Sequence, residues 1–161
     1  MQALFIQMRL LKEPDRGLTA MLKNLNTLLT ADVLHLLASM GHGDELAIVD
    51  RNYPAASNAK RHIHCPAASS TDVLDAVLDV FPVDTFVDPV AFRMEVVDQP
   101  EHVPDICNEF SALLLQHENR SIDVAPLDRF AFYKRSQNCF GIISTGEIRP
   151  YGNIILIKGV V

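Results

Sequence analysis

The sequence predicts a single α/β domain of three layers, with a mixed or largely parallel sheet flanked by helices. Three observations carry that expectation. Apolar residues at helical spacing alternate along the chain with short apolar runs of strand length, the signature of a sheet covered by helices. At 161 residues the chain suits one domain with a sizeable core, and is too short for a (β/α)8 barrel or two full domains. Hydrophobic residues make up 48% and charged residues 21%, the balance of an ordinary globular protein and not of a disordered one.

Residues 1–20 look unlike the rest. A short apolar patch leads into Lys12-Glu13-Pro14-Asp15-Arg16-Gly17, a charged turn or linker, so 1–20 reads as an N-terminal extension with no assigned role and 21–161 as the domain, with Met21 an alternative start. After Thr30, a suitable N-cap, Val33, Leu34, Leu36, Leu37 and Met40 recur at helical spacing and stop at Gly41, a residue suited to a C-terminal cap. The run from Glu45 to Asp50 reads as a strand buried on both faces, followed by a loop at Arg51-Asn52-Tyr53-Pro54. A second helix starts near Ser70 or Thr71, buries Val73, Leu74, Val77, Leu78 and Phe81, shows Asp72, Asp75 and Asp79 outward, and ends at Pro82. Then come a strand over 92–97, a helix over 104–117, a strand over 122–124, a helix over 129–137 capped by Asp128, and strands over 139–144 and 154–157. No internal repeat is present.

Acidic residues outnumber basic ones 20 to 14, for a net charge of -6, and the basic residues are scattered. Nucleic-acid binding, which needs a basic stripe, is therefore not expected, and a neutral ligand fits better. Cys65, Cys107 and Cys139 are odd in number and contain no C-x-x-C, so buried free thiols in a reducing compartment are expected. No apolar run is long enough to span a bilayer, and the one candidate leader, 3–11, is interrupted by Gln7 and Arg9. The expectation is a soluble, cytoplasmic protein without membrane association.

The turn Met40-Gly41-His42-Gly43-Asp44-Glu45, with Asp50 beyond it and Tyr151-Gly152-Asn153 near the C-terminus, places an imidazole, carboxylates, a phenol and an amide on short turns. Such turns are where side chains meet small polar ligands. Gly41-His42-Gly43 is not a dinucleotide fingerprint, because Leu46 stands where a third glycine belongs and the motif follows a helix. No Walker A sequence or nucleophile elbow is present. His42 stands out because an imidazole, ordinarily titrating near pH 6.5, both gives and takes protons at neutral pH, and flanking glycines leave it open to approach. The alternative is a surface-turn histidine. Asp44 and Glu45 read as solvated charges, whereas Asp50 ends an apolar run at a strand-to-loop transition, a common place for ligand groups. If 45–50 is extended, His42 and Asp50 lie roughly 20 Å apart at about 3.3 Å per residue. Either the turn folds back, or one site draws on two subunits. Arg129 offers a permanent cation beside free helix amides, or is an ordinary surface arginine. Phe130, Phe132 and Tyr133 read mostly as core, with one aromatic face free to pack on a sugar ring. His62 and His64 share a strand face near Cys65, but no third ligand at metal-binding spacing supports a metal site.

Residues 21–161 resemble the L-fucose mutarotase and D-ribose pyranase family, most closely its fucose branch. The match runs through Met40-Gly41-His42-Gly43-Asp44-Glu45, Asp50, Pro54-Ala55, Arg129-Phe130-Ala131-Phe132-Tyr133, Thr145-Gly146-Glu147, and Tyr151-Gly152-Asn153 to Lys158-Gly159-Val160. The resemblance implies a monosaccharide isomerase with His42 as general acid/base, Asp50 or Tyr151 as its catalytic partner, and a sugar site formed by Asp50, Arg129, Tyr151, Gly152 and Asn153. Arg129 marks the fucose branch, since the ribose branch typically has a histidine there. No cofactor and no metal are implied. Homo-oligomers are implied, ring-shaped decamers in bacterial relatives, with sites near subunit interfaces. Two departures touch subunit packing and substrate preference: Ile63-His64-Cys65-Pro66 where relatives often read Ile-Arg-Ala-Asp, and Lys134 where they carry a glutamate.

Overall fold

The computed structural model describes residues 22–161, so the extension expected at 1–20 and Met21 lie outside the described residues. Six strands form one sheet in the order β2-β5-β1-β6-β3-β4. They are β1 (Glu45–Val49), β2 (His62–Cys65), β3 (Ala91–Met94), β4 (Val124–Leu127), β5 (Gly141–Thr145) and β6 (Ile154–Ile157). β1 to β5 run one way, and β6 runs antiparallel between β1 and β3. The sheet is therefore mixed. Ile154 at the start of β6 pairs with Ile48 near the end of β1 and with Arg93 on β3, which brings the chain before β6 to the end of the sheet where the parallel strands finish.

The helices are α1 (Ala31–Ser39), α2 (Ala55–Asn58), α3 (Ser70–Leu78), α4 (Asp105–Glu118) and α5 (Arg129–Ser136). Thr30 caps α1 as expected, its hydroxyl oxygen accepting from the Val33 amide at 3.4 Å. At α3, Ser69 and Asp72 satisfy each other's backbone amides in a capping box, so Asp72 has a structural task beyond facing solvent. Asp128 caps α5 by accepting from the Phe130 and Ala131 amides at 2.9 and 3.0 Å. The end of α1 differs from expectation: Met40 is the cap in an extended conformation, and the glycine with left-handed backbone is Gly43 at φ +83°, not Gly41.

Side-chain alternation divides the core in two. Leu46, Ile48, Ala91, Ile143 and Leu156 pack with α1, α3 and α4 on one face, while Ala47, Val49, Phe92, Ile142 and Ile155 pack with Ala55 of α2 and Phe132 of α5 on the other. That is the three-layer arrangement, and it explains why β1, β5 and β6 are buried on both faces, with Glu45 at the start of β1 only half-buried.

Element ends differ where local chemistry competes with pattern. β4 starts at Val124, where the expected strand ended, and contains Pro126; the position is tolerated because β4 is an edge strand whose open side needs no amide donor. β3 stops at Met94, short of the expected 97, where the chain turns toward Asp98 at φ +62°. The single-turn α2 was not expected as an element; β2 is the strand on which His62 and His64 share a face, and it alternates exposed and half-buried residues, as an edge strand can.

Candidate active site

The two ends of the sheet each hold part of the set expected from sequence. Where β1 ends, Asp50 is buried and joined to Asn153: the Asp50 amide donates to Asn153 Oδ1 at 2.9 Å, and Asn153 Nδ2 donates to Asp50 Oδ2 at 3.0 Å. The Asn52 amide donates to Asp50 Oδ1 at 2.9 Å. Burial raises the Asp50 pKa above the usual carboxylate value; the hydrogen bonds from Asn52, Asn153 and Tyr53 pull against it, and the charge of Glu147 adds to the rise.

Glu147 lies beneath the same turn. Its buried carboxylate accepts from Arg149 Nε at 2.9 Å and Nη2 at 3.0 Å, and these bonds, opposed by burial, hold it below its ordinary pKa. A Cβ at position 152 would stand 2.7 Å from Glu147 Cγ and 3.0 Å from Ile106 Cδ1, so only glycine lets the turn lie this close. Tyr151 adopts φ +63°, uncommon for a residue with a side chain. Its phenol oxygen accepts from the Val97 amide at 3.1 Å, leaving the phenol hydrogen free to donate.

Arg129 is exposed at the start of α5, with its guanidinium 4.8 Å over the Phe130 ring. Arg129, Phe130, Val97 and Asp98 line a cavity of about 280 Å³, and the Val97 amide links that cavity to Tyr151. Phe132 is core and Tyr133 half-buried, so the exposed aromatic face is that of Phe130, 70% exposed.

His42 is not with them. The Gly43 amide donates to Lys158 O and the Lys158 amide to Asp44 O, both at 2.8 Å, so antiparallel pairing with the β6 chain continues past β1 and the turn does not fold back. The five residues of β1, roughly 16 Å at about 3.3 Å per residue, lie between the His42 turn and Asp50. His42 Nε2 lies 3.0 Å from Oδ1 of buried Asp84, while His42 itself is 46% exposed. Burial works against the Asp84 carboxylate, but the hydrogen bond from His42 and the amides of Phe86 and Thr85 hold its pKa below the usual value. An ionised carboxylate only accepts, so Nε2 carries the proton and Nδ1 is the nitrogen left bare in the neutral ring. The Phe86 ring sits 5.2 Å from the imidazole. His42 lines a cavity of about 450 Å³ with Leu34, Leu37, Val80, Lys158 and Val160.

Sequence reasoning missed Asp84. It lies in the loop between α3 and β3, with no motif around it. Asp44 and Glu45 are structural: Asp44 Oδ2 accepts from the Gly41 amide at 2.8 Å, and Glu45 pairs with Arg135 at 2.6 Å. His62 and His64 both meet Ser144 Oγ, at 2.7 and 2.8 Å. Among the described residues no group of three His, Cys, Asp or Glu is placed to hold a metal.

Comparison with known proteins places this geometry. A fucose mutarotase from Danio rerio is 38% identical over 147 residues, 87% of this chain and 94% of the relative. The crystal structure of the fucose mutarotase in complex with L-fucose from Streptococcus pneumoniae matches with a TM-score of 0.80 at 37% identity, covering 87% of this chain and 99% of that one. FucU from Bifidobacterium longum matches with a TM-score of 0.80 at 37% identity, over 85% and 98% of the respective chains. The model of the RbsD / FucU transport protein family matches residues 23–161. That span takes in both ends of the sheet, from the His42 turn to the Asp50–Asn153 pair, and the chain belongs to the RbsD / FucU family.

Proposed function

We propose that the protein is a cofactor-independent L-fucose mutarotase, interconverting the α and β anomers. The observation that carries this reading is the match, over nearly their whole lengths, to relatives that are fucose mutarotases. The chemistry asks for one group that delivers a proton to the ring oxygen while another removes one from the anomeric hydroxyl. The bond from C1 to the ring oxygen breaks, a C1 carbonyl forms, C1 rotates, and the ring recloses with both protons returned. His42, aimed by Asp84, is the general acid/base through Nδ1, and Asp50 or the donating Tyr151 phenol is its partner. An acid and a base each contribute on the order of 10²- to 10⁴-fold. Arg129, Asn153 and the backbone at Gly152 hold hydroxyls, and the Phe130 face stacks on the sugar ring.

The protein acts as a homo-oligomer in the cytoplasm, with sites between subunits. Support comes from His42 and Asp50 lying at opposite ends of β1, and from apolar side chains exposed near each: Phe86, Val87 and Val160 on the His42 side, Phe130 and Val97 on the other. Two unlike surfaces that complement each other make a heterologous contact, which generates a ring when the rotation between neighbours closes. No helix among the described residues is long and apolar enough to cross a membrane.

Saturation-transfer NMR of L-fucose at equilibrium tests the proposal, with D-ribose and D-glucose in parallel. Enzyme-dependent exchange between fucose anomers supports it. Exchange with ribose alone assigns the protein to pyranose–furanose interconversion, and silence with every sugar leaves a sugar-binding module.

A further inference from the structure

Among the described residues, two buried side-chain nitrogens lack a hydrogen-bond partner, Arg93 Nη1 and Arg120 Nε. Arg120 is otherwise engaged, donating from Nη2 to the Asp84 carbonyl at 2.6 Å. Arg93 takes part in none of the ion pairs of the described residues. It lies on β3 between Phe92 and Met94, which face the α5 side, so it shares the face of Ala91 and points toward α4. Only 8% of it is exposed. A guanidinium does not lose its proton in a protein, so this is a permanent buried charge, and such charges persist when something pairs with them.

The surroundings say what that something is. Arg93 lines a cavity of about 190 Å³ together with Cys107, Ser111, Asp123 and Pro126. Burial pushes the Cys107 thiol pKa up, against the pull of Arg93, so the thiol is neutral and is no counter-charge. Pro126 has no amide to offer. The Ser111 hydroxyl donates to the Cys107 carbonyl at 3.2 Å, a long bond that a rotation about χ1 exchanges for one into the cavity. Asp123, exposed at the rim, makes no ion pair with Arg93, and its carboxylate disfavours an anion beside it. The cavity is smaller than those that enclose drug-sized ligands, and its donors are one unsatisfied guanidinium and one rotatable hydroxyl. We propose that it binds a small oxyanion, a phosphate or a carboxylate, clamped between Arg93 and Ser111 Oγ.

The test is calorimetric titration and thermal melting of the assembled protein with sodium phosphate, sodium acetate and sodium chloride at matched ionic strength. We expect saturable binding and a raised Tm with phosphate or acetate and neither with chloride. Saturation by phosphate alone identifies a phosphate site, and saturation by acetate a site for carboxylate-bearing ligands. R93M, which keeps the aliphatic stem, weakens binding by about tenfold or more, as loss of a charge-assisted bond does. D123N tightens it by removing a rim charge of the anion's own sign. Equal effects from chloride, or unchanged affinity in R93M, would overturn the site. So would a wild type that binds neither anion while R93M falls apart in sedimentation velocity, because Arg93 would then be paired by a neighbouring copy. Should R93M not fold, S111A and phosphorus NMR line broadening decide: absence of broadening by wild type, or equal broadening by S111A, sinks the proposal.

Discussion

Asp50 and Asn153, 103 positions apart, hold each other through two hydrogen bonds, one from the Asp50 amide and one to the Asp50 carboxylate. The second opposes the upward push of burial on the Asp50 pKa. Removing it in Asn153→Leu raises that pKa further. If ionised Asp50 is the base, the acid limb of the pH profile of fucose exchange moves to higher pH. A limb that stays in place would separate Asp50 from proton transfer.

His42→Ala abolishes exchange with the fold intact, read by NMR exchange and circular dichroism. Asp84→Asn is more discriminating. The amide no longer compels the proton onto Nε2 or supports an imidazolium, so we expect turnover to fall about 10²-fold or more with little change in KM. Wild-type turnover in D84N would remove Asp84 from its positioning role.

If one site takes His42 from one subunit and Asp50 from the next, two inactive variants complement each other. H42A and Asp50→Asn, unfolded together and refolded at equal concentration, regain about a quarter of wild-type activity, the share of interfaces with both residues intact under random assembly. No recovery from a verified mixed oligomer would place both groups in one chain's site.

Gly152→Ala drives a methyl into Glu147 Cγ and Ile106 Cδ1. Overpacking of this kind costs about 1–3 kcal/mol, measurable as a lower midpoint in urea. We expect lost activity as well, because the turn carrying Tyr151 and Asn153 must move.

Glu147 contributes to acid sensitivity. Its folded pKa lies below the ordinary 4.5 because of Arg149, so its stabilisation is present above that value and is lost as pH falls through the lowered one. Glu147→Gln lowers Tm at neutral pH and flattens the fall of Tm below pH 4.5. An equally steep fall in the variant would show that other carboxylates dominate.

The parts of this fold that were legible in sequence are those fixed locally. Thr30 and Asp128 are caps because their side chains sit one turn from free amides, and β6 has the expected ends because an unbroken apolar run follows a Gly-Asn turn. β2 was legible only as the face shared by His62 and His64, because His-Ile-His-Cys buries little, and β4 was misplaced because proline reads as a stop unless the strand is known to be an edge. The site divides the same way. Asp50 and Tyr151-Gly152-Asn153 were singled out as residue types on turns, but their contact depends on β6 lying beside β1, which no local pattern encodes. Asp84 has no local signal at all; it is marked by burial and by what it does to His42.

Because the last strand in sequence occupies the middle of the sheet, the chain cannot complete its fold in the order in which it is made. Until Ile154–Ile157 is available, β2-β5-β1 and β3-β4 are separate sheets, each with an apolar edge open to other chains. Joining them requires contacts across more than a hundred residues, the kind that slow folding. Completing this sheet is thus an insertion, and a chain cut just before β6 leaves two sticky half-sheets where one closed core should be.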